Sequence, residues 1–182
     1  MTNWKRIETP LDGDVIEELR AGDRILLSGI MYTARDRAHE RLCGMAEKKE
    51  TLPFDPENQV IYYMGPSPAP PGKAIGSAGP TSSYRMDSFT ECIMKMGVRG
   101  LVGKGRRDRI TRDLMVYYGA VYFATFGGAG AYLSKRIIES SLIAFEDLGP
   151  EAVYRLRVAD FPLIVINDVD GGDLYEHSIQ HG

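Results

Sequence analysis

The stretch Gly76-Ser77-Ala78-Gly79-Pro80-Thr81-Ser82-Ser83-Tyr84-Arg85-Met86-Asp87 constrains the fold more than any other. It joins an apolar run to a segment in which Met86, Phe89, Ile93 and Met96 recur at helical spacing, with Gly97 as the stop. Small residues let a backbone approach a ligand closely. The first turn of a helix presents unpaired N–H groups that favour an anion. Arg85 adds a planar, permanently charged fork suited to a carboxylate. Two readings fit these residues equally: a site for a small acidic molecule, and a capped helix with a surface arginine.

The same hand-over from strand to helix recurs along the chain. Residues 1–13 read as a lead-in, and Asp14 with Glu17 reads as the capping box of a short helix. Arg24 to Gly29 reads as a buried strand that continues to Ala34. A helix then starts at Arg35-Asp36, with Ala38, Leu42 and Met45 on one face. Further strands are expected at 59–64, 73–78, 98–102, 120–126, 142–145, 152–158 and 163–166, the last two parted by Phe161-Pro162. Helices are expected at 81–96, at 108–118 closed by Gly119, and at 131–140. Gly65 to Gly72 is proline-rich and reads as a stiff loop: a lid, a partner contact or a plain connector. Asn167 to Asp173 reads as a turn, and the tail from Glu176 as frayed.

Other cations occupy comparable junctions. Arg35 stands where a strand gives way to a helix, and Lys104 stands between Gly103 and Gly105 at a strand end. Together with Arg85 they are candidates to converge on one anion; Arg35 is equally open to a salt bridge with Asp36 or Glu40. His39, one turn on, reads as a hydrogen-bonded structural residue. Arg106, Arg107, Arg109 and Arg112 alternate with Asp108 and Asp113 and read as a solvated helix face. Gly127-Gly128-Ala129-Gly130 lacks a full dinucleotide fingerprint, and close packing of backbone on backbone explains it as well.

Composition narrows the class. A chain of 182 residues with 43% hydrophobic and 26% charged residues is expected to form one domain over 1–182. A net charge of −3 argues against a nucleic-acid partner. Neither a membrane-spanning run nor a signal-peptide core is evident, so the expected location is cytoplasmic. Cys43 and Cys92 form no CxxC pair and are too few for the usual thiolate set of an iron–sulfur cluster or a structural zinc.

Four motifs then occur in order: Thr33-Ala34-Arg35-Asp36-Arg37-Ala38-His39, Tyr62-Tyr63-Met64-Gly65-Pro66, Gly79-Pro80-Thr81-Ser82-Ser83-Tyr84-Arg85-Met86-Asp87 and Gly103-Lys104-Gly105, with Phe161-Pro162 near the end. The chain resembles the beta subunit of class I (iron–sulfur) fumarate hydratase and of L(+)-tartrate dehydratase, equivalent to the C-terminal domain of single-chain members. The resemblance runs from about Leu11 to about Asp173. It implies an α/β chain with a swivelling β/β/α domain: three layers, mixed sheets and helices packed on one side. It implies a hydro-lyase that reversibly hydrates fumarate to (S)-malate, in a homo- and hetero-oligomer. The partner would be an alpha subunit holding a [4Fe–4S] cluster, with no cofactor or metal on this chain. By position, Arg35, Arg85 and Lys104 resemble the family's substrate-carboxylate contacts, and Thr81 the hydroxyl of proton transfer. Ser82 departs from the second threonine common there, which leaves a hydroxyl in place. A threonine hydroxyl is a poor base without an activator, so a carboxylate or similar group from the alpha subunit is expected beside Thr81. The alternatives are an L(+)-tartrate dehydratase beta subunit and, in another class, a non-catalytic dicarboxylate-binding module.

Overall fold

In the computed structural model, which describes residues 4–177, side chains along the central strands alternate between two apolar cores. On β3 (Val60–Tyr62), Val60 and Tyr62 enter one core, and Ile61 enters the other. Val102 and Leu101 divide in the same way on β4 (Gly100–Gly103). So do Val121 and Phe123 against Tyr122 on β5 (Val121–Ala124). Successive strand residues face opposite sides, so a strand buried on both faces must read as an unbroken apolar run.

One core packs these strands against α2 (Asp36–Glu47), α3 (Asp87–Lys95) and α4 (Arg109–Tyr118), through Leu42, Ile93, Met94 and Met115. The other lies among strands. It gathers Leu27 and Met31 of β2 (Arg24–Thr33), Ile7 of β1 (Trp4–Glu8), Ile137 of β6 (Ile137–Ala144), and Leu156 and Phe161 of β7 (Val153–Asn167). Two short helices, α1 (Gly13–Glu18) and α5 (Gly130–Leu133), add Ile16 and Leu133.

Among the described residues the strands run in the order β1-β2-β3-β4-β5-β7-β6, and β2 also pairs with β7. The pairings β2–β3–β4–β5–β7 therefore return to β2 as a ring. The two long strands exchange neighbours part-way. β2 shifts register between Leu27 and Gly29, where φ is 107° and a Cβ would stand 2.4 Å from Thr9 Oγ1. β7 turns at Asp160 (φ 47°): before it the strand pairs with β2 and β6, after it with β2 and β5. From β2 to β5 neighbouring strands are parallel, so their carboxyl ends share one edge of the sheet. Loops leaving such an edge are where α/β proteins hold ligands.

The mixed α/β class agrees with expectation, and several elements are corrected. The lead-in contains a strand, β1, which pairs with β2 in parallel. α1 is capped by Asp12, which accepts from Val15 N–H at 2.8 Å, rather than by Asp14. Lys73 to Ala78 is not a strand, because its polar groups turn back on the proline loop. Ser67 N–H donates to Ser77 O at 3.2 Å and Ser77 N–H to Ser67 Oγ at 2.7 Å. The helix expected at 131–140 stops at Leu133, passes through a 3₁₀ turn at Ser134–Arg136 and becomes strand β6. β-Branched Ile137, Ile138 and Ile143 suit a pleated surface better than a helix. The strands at 152–158 and 163–166 are one, continuous through Pro162 and bent at Asp160. The helix after Thr81 opens as a 3₁₀ turn at Ser83–Met86 before α3. Glu176 belongs to α6 (Leu174–His177); the tail beyond lies outside the described residues.

Gly103 is where close packing is tightest. A Cβ there would meet Ser83 Oγ at 2.1 Å and Tyr63 Cδ2 at 2.8 Å. Gly103→Ala is expected to lower stability by roughly 1–3 kcal/mol through overpacking. Gly44→Ala, in α2 with nothing near its Cβ, is expected to raise it by roughly 0.5–1 kcal/mol. Urea unfolding of both variants checks the pair of opposite signs.

Candidate active site

Arg35 follows β2 directly and is the extended N-cap of α2 (φ −113°, ψ −167°). Its carbonyl accepts from the His39 backbone N–H at 2.9 Å and faces His39 Nδ1 at 2.9 Å. Its guanidinium Nε lies 3.7 Å from Glu151, and this Nε is buried without a hydrogen bond. Gly65 makes room for it: a Cβ there would stand 3.1 Å from Arg35 Nη1. The salt bridge open to Arg35 is thus made with Glu151, not with Asp36 or Glu40.

Residues 81–83 slot between the ends of β3 and β4. Thr81 N–H donates to Tyr63 O at 2.6 Å, Lys104 N–H to Thr81 O at 3.3 Å, and Ser83 N–H to Lys104 O at 2.9 Å. Ser82 and Lys104 form a parallel bridge. The segment behaves as a short strand extension, and Gly103 gives it room. Of its three hydroxyls, that of Ser83 is buried, 2.7 Å from Tyr122 OH, which itself donates to Gly105 O at 2.9 Å. The hydroxyls of Thr81 and Ser82 are half-buried and take no hydrogen bond among the described residues. Lys104 is exposed, and its ammonium has no ion pair among them.

Arg85 leaves the 3₁₀ turn and reaches Asp36, the first residue of α2: Nε donates to Oδ1 at 3.1 Å, and Nη2 lies 3.0 Å from Oδ2. Arg35, Thr81, Arg85 and Lys104 therefore belong to three adjoining strand ends, those of β2, β3 and β4. The residues between them are mutually hydrogen-bonded, so the backbone carrying them is rigid.

Sequence reading missed the residue beneath them. Arg107, expected on a solvated face, is buried, with none of its side chain exposed. Nε donates to Asp87 Oδ1 at 2.6 Å and Nη1 to Tyr63 OH at 3.0 Å, and Nη2 bonds Thr90 Oγ1. Its guanidinium also lies against the rings of Tyr63 and Tyr122. Burial opposes its charge, but Tyr63 and Asp87 together hold its pKa above the ordinary arginine value. At Asp87 burial is the larger effect and raises the carboxyl above the usual range, against the pull of Arg107 and Asp108 N–H. Its aromatic neighbours are strand residues that periodicity assigns to the core, so the sequence carried no signal that they receive a cation.

His39 is fully buried against Tyr63 and Phe89. Its Nε2 has no hydrogen-bond partner. The expected structural role agrees with this setting. Among the described residues no group of three or more His, Cys, Asp or Glu side chains is arranged to hold a metal ion. Cys43 is buried at the helix interface, and burial pushes its thiol up. No described helix is long and apolar enough to cross a membrane.

Residues 5–178 match the family described as Fumarase C-terminus. The chain belongs to the fumarase C-terminus family. Its relatives differ in length. This chain is 37% identical over 167 residues to a putative L(+)-tartrate dehydratase subunit beta of Methanocaldococcus jannaschii, covering 88% of this chain and 86% of that one. It is 35% identical over 166 residues to fumarate hydratase 2 of Leishmania major, covering 90% of this chain but 29% of that protein. Against the aerobic class I fumarate hydratase of Escherichia coli the figures are 34% over 155 residues, 84% and 28%. The chain thus spans less than a third of these two fumarate hydratases, and most of the length of the putative tartrate dehydratase subunit beta.

Burial lowers the pKa of His39 from 6.5 to about 4, with Arg107 adding to the effect and the Arg35 carbonyl opposing it. The native state therefore favours the neutral ring. The associated stability is present above pH 6.5 and is lost as pH falls towards 4, by roughly 3 kcal/mol in total. His39→Gln, which does not titrate in this window, is expected to lack that slope. Urea unfolding of both proteins between pH 4 and 7 checks it, and identical slopes would contradict the buried neutral ring.

Proposed function

We propose that this chain is the beta subunit of an iron–sulfur hydro-lyase that reversibly hydrates fumarate to (S)-malate. The carrying observation is the edge formed by the ends of β2, β3 and β4, where Arg35, Arg85 and Lys104 accompany the unengaged hydroxyl of Thr81. A dicarboxylate needs two or three fixed cations, and enclosure from bulk water makes each more effective. In this reading the three cations bind and orient the carboxylates. Thr81, whose backbone is bonded to Tyr63 and Lys104, holds the proton that moves at the carbon centre. As Lys104 and Arg85 are exposed, a second polypeptide must cover the edge and exclude water.

That polypeptide is an alpha subunit carrying the [4Fe–4S] cluster. Cys43 and Cys92 belong to the helix-side core and its margin, away from the proposed edge, and do not fit as ligands to the cluster. The similarity to a putative beta subunit supports a two-chain enzyme. The swivelling β/β/α class, a single domain over 1–182, a mixed oligomer and a cytoplasmic location belong to the same proposal.

The same similarity favours a second reading, in which L(+)-tartrate is the substrate of the shared site. Relative turnover of (S)-malate and L(+)-tartrate by the complex separates the two.

Anaerobic co-purification from the native source is expected to yield a coloured partner chain and fumarate hydration, with no activity in this chain alone. Thr81→Ala in that complex is expected to lower kcat by roughly 10²–10⁴-fold. Lys104→Ala is expected to raise KM by about 10–100-fold, the loss of one charged contact. A colourless chain with no partner that still binds dicarboxylates would instead indicate a non-catalytic binding module. Full turnover by Thr81→Ala would remove that residue from proton transfer.

A further inference from the structure

We propose that Asp36 is a positioning residue, which holds the Arg85 guanidinium so that its free N–H groups face a substrate carboxylate. This rests on the reading of Arg85 as a carboxylate contact.

The contact between the two is side-on: Arg85 Nε donates to Oδ1 at 3.1 Å, and Nη2 lies 3.0 Å from Oδ2. A guanidinium has five N–H donors in a rigid planar fork. Asp36 takes the Nε–H in a hydrogen bond and faces one side of Nη2 as an ion pair. It leaves both Nη1–H groups and the other Nη2–H, which form the end-on fork that takes a second carboxylate. Because the fork is planar, fixing one side fixes the direction of the other.

Asp36 is well placed for this role. It opens α2, where the helix dipole favours a carboxylate. It directly follows Arg35, the first of the proposed cations, whose backbone carbonyl is pinned by the His39 N–H. Its side chain is 27% exposed, against 41% for Arg85, so Asp36 is the sheltered end of the pair. Oδ2 is buried and makes no hydrogen bond, so it meets Nη2 as an ion pair alone. The bond also ties the start of α2 to the 3₁₀ turn at Ser83–Met86, and thereby the end of β2 to the segment that carries Thr81. Without it, Arg85 would be a long side chain on a surface turn, free to take many rotamers, and binding would have to order it.

The competing role for Asp36 is that of a place-holder, a carboxylate in the substrate's seat. The two roles predict opposite signs. Steady-state kinetics of the complex with the cluster-bearing chain, on (S)-malate, would compare Asp36→Ala, Asp36→Asn, Arg85→Ala and the double variant Asp36→Ala/Arg85→Ala. Positioning predicts a KM rise of about tenfold for Asp36→Ala, as for a change of 1.4 kcal/mol. Asp36→Asn, which keeps one acceptor oxygen for Nε, is expected to rise less. The double variant is expected to match Arg85→Ala alone, because the two residues act as one unit. A residue that only supported the fold would give additive losses.

An unchanged or lower KM for both Asp36 variants, or additivity in the double variant, overturns the proposal while leaving Arg85 as a contact. If Arg85→Ala has wild-type kinetics, both this inference and the carboxylate role of Arg85 fail. Should Asp36→Ala not assemble, Asp36→Asn alone decides by the direction of its KM.

Discussion

The Arg107 guanidinium is the interaction on which the proposed edge depends. It lies in the segment after β4 and reaches Tyr63 at the end of β3 and Asp87 and Thr90 of α3, with Tyr122 of β5 stacked against it. A buried charge left unpaired is costly, so each partner must be in place for the others to be tolerated. Those partners flank the residues proposed to bind substrate. Tyr63 accepts Thr81 through its carbonyl, and Tyr122 accepts Ser83 through its hydroxyl. The network thus converts a loop, a turn and two strand ends into one rigid unit. It gives no contact to substrate in this account; it sets where the contacts stand.

Glycine completes that unit by what it leaves out. Gly103 lets residues 81–83 lie on the end of β4, and Gly65 leaves space for Arg35. Gly130 is the counterpart in the Gly127–Gly130 run: its carbonyl accepts from Ala78 N–H at 3.2 Å, and a Cβ would stand 2.2 Å from Ser77 Oγ. Close backbone packing, rather than a phosphate cradle, accounts for that run. The stiff Pro66–Pro71 loop is fastened at its base by Ser67 and Ser77, which explains why the segment after it never joins a sheet.

Periodicity made much of this legible. The two-sided apolar runs of β2 to β5 and the helices between them followed from spacing, because burial on both faces leaves no other pattern. Candidate cations were legible as residues at strand-to-helix junctions. Long-range pairing was not. β-Branched Ile137, Ile138 and Ile143 are only a weak local signal for β6 after Leu133, and its strand character comes from pairing with β7. Asp160 bends β7 without a glycine, so from sequence Phe161-Pro162 reads as a break between two strands. Arg107 looked like its neighbours Arg106 and Arg109 because charge patterning cannot tell which arginine of a run turns inward. Likewise Asp36 was legible as a helix-start acid, but its bond to Arg85 joins residues far apart in the chain.

In the proposed enzyme the strand-end edge becomes enclosed around a dicarboxylate when a second polypeptide covers it. Lys104, exposed and without an ion pair among the described residues, reports on this directly. The decisive measurement is acetic anhydride labelling read by mass spectrometry, with exposed Lys49 at the far end of α2 as the internal reference. The account predicts that Lys104 labels readily in the isolated chain and is protected in the active complex saturated with (S)-malate, while Lys49 is unchanged. Equal labelling of Lys104 in both states would contradict it.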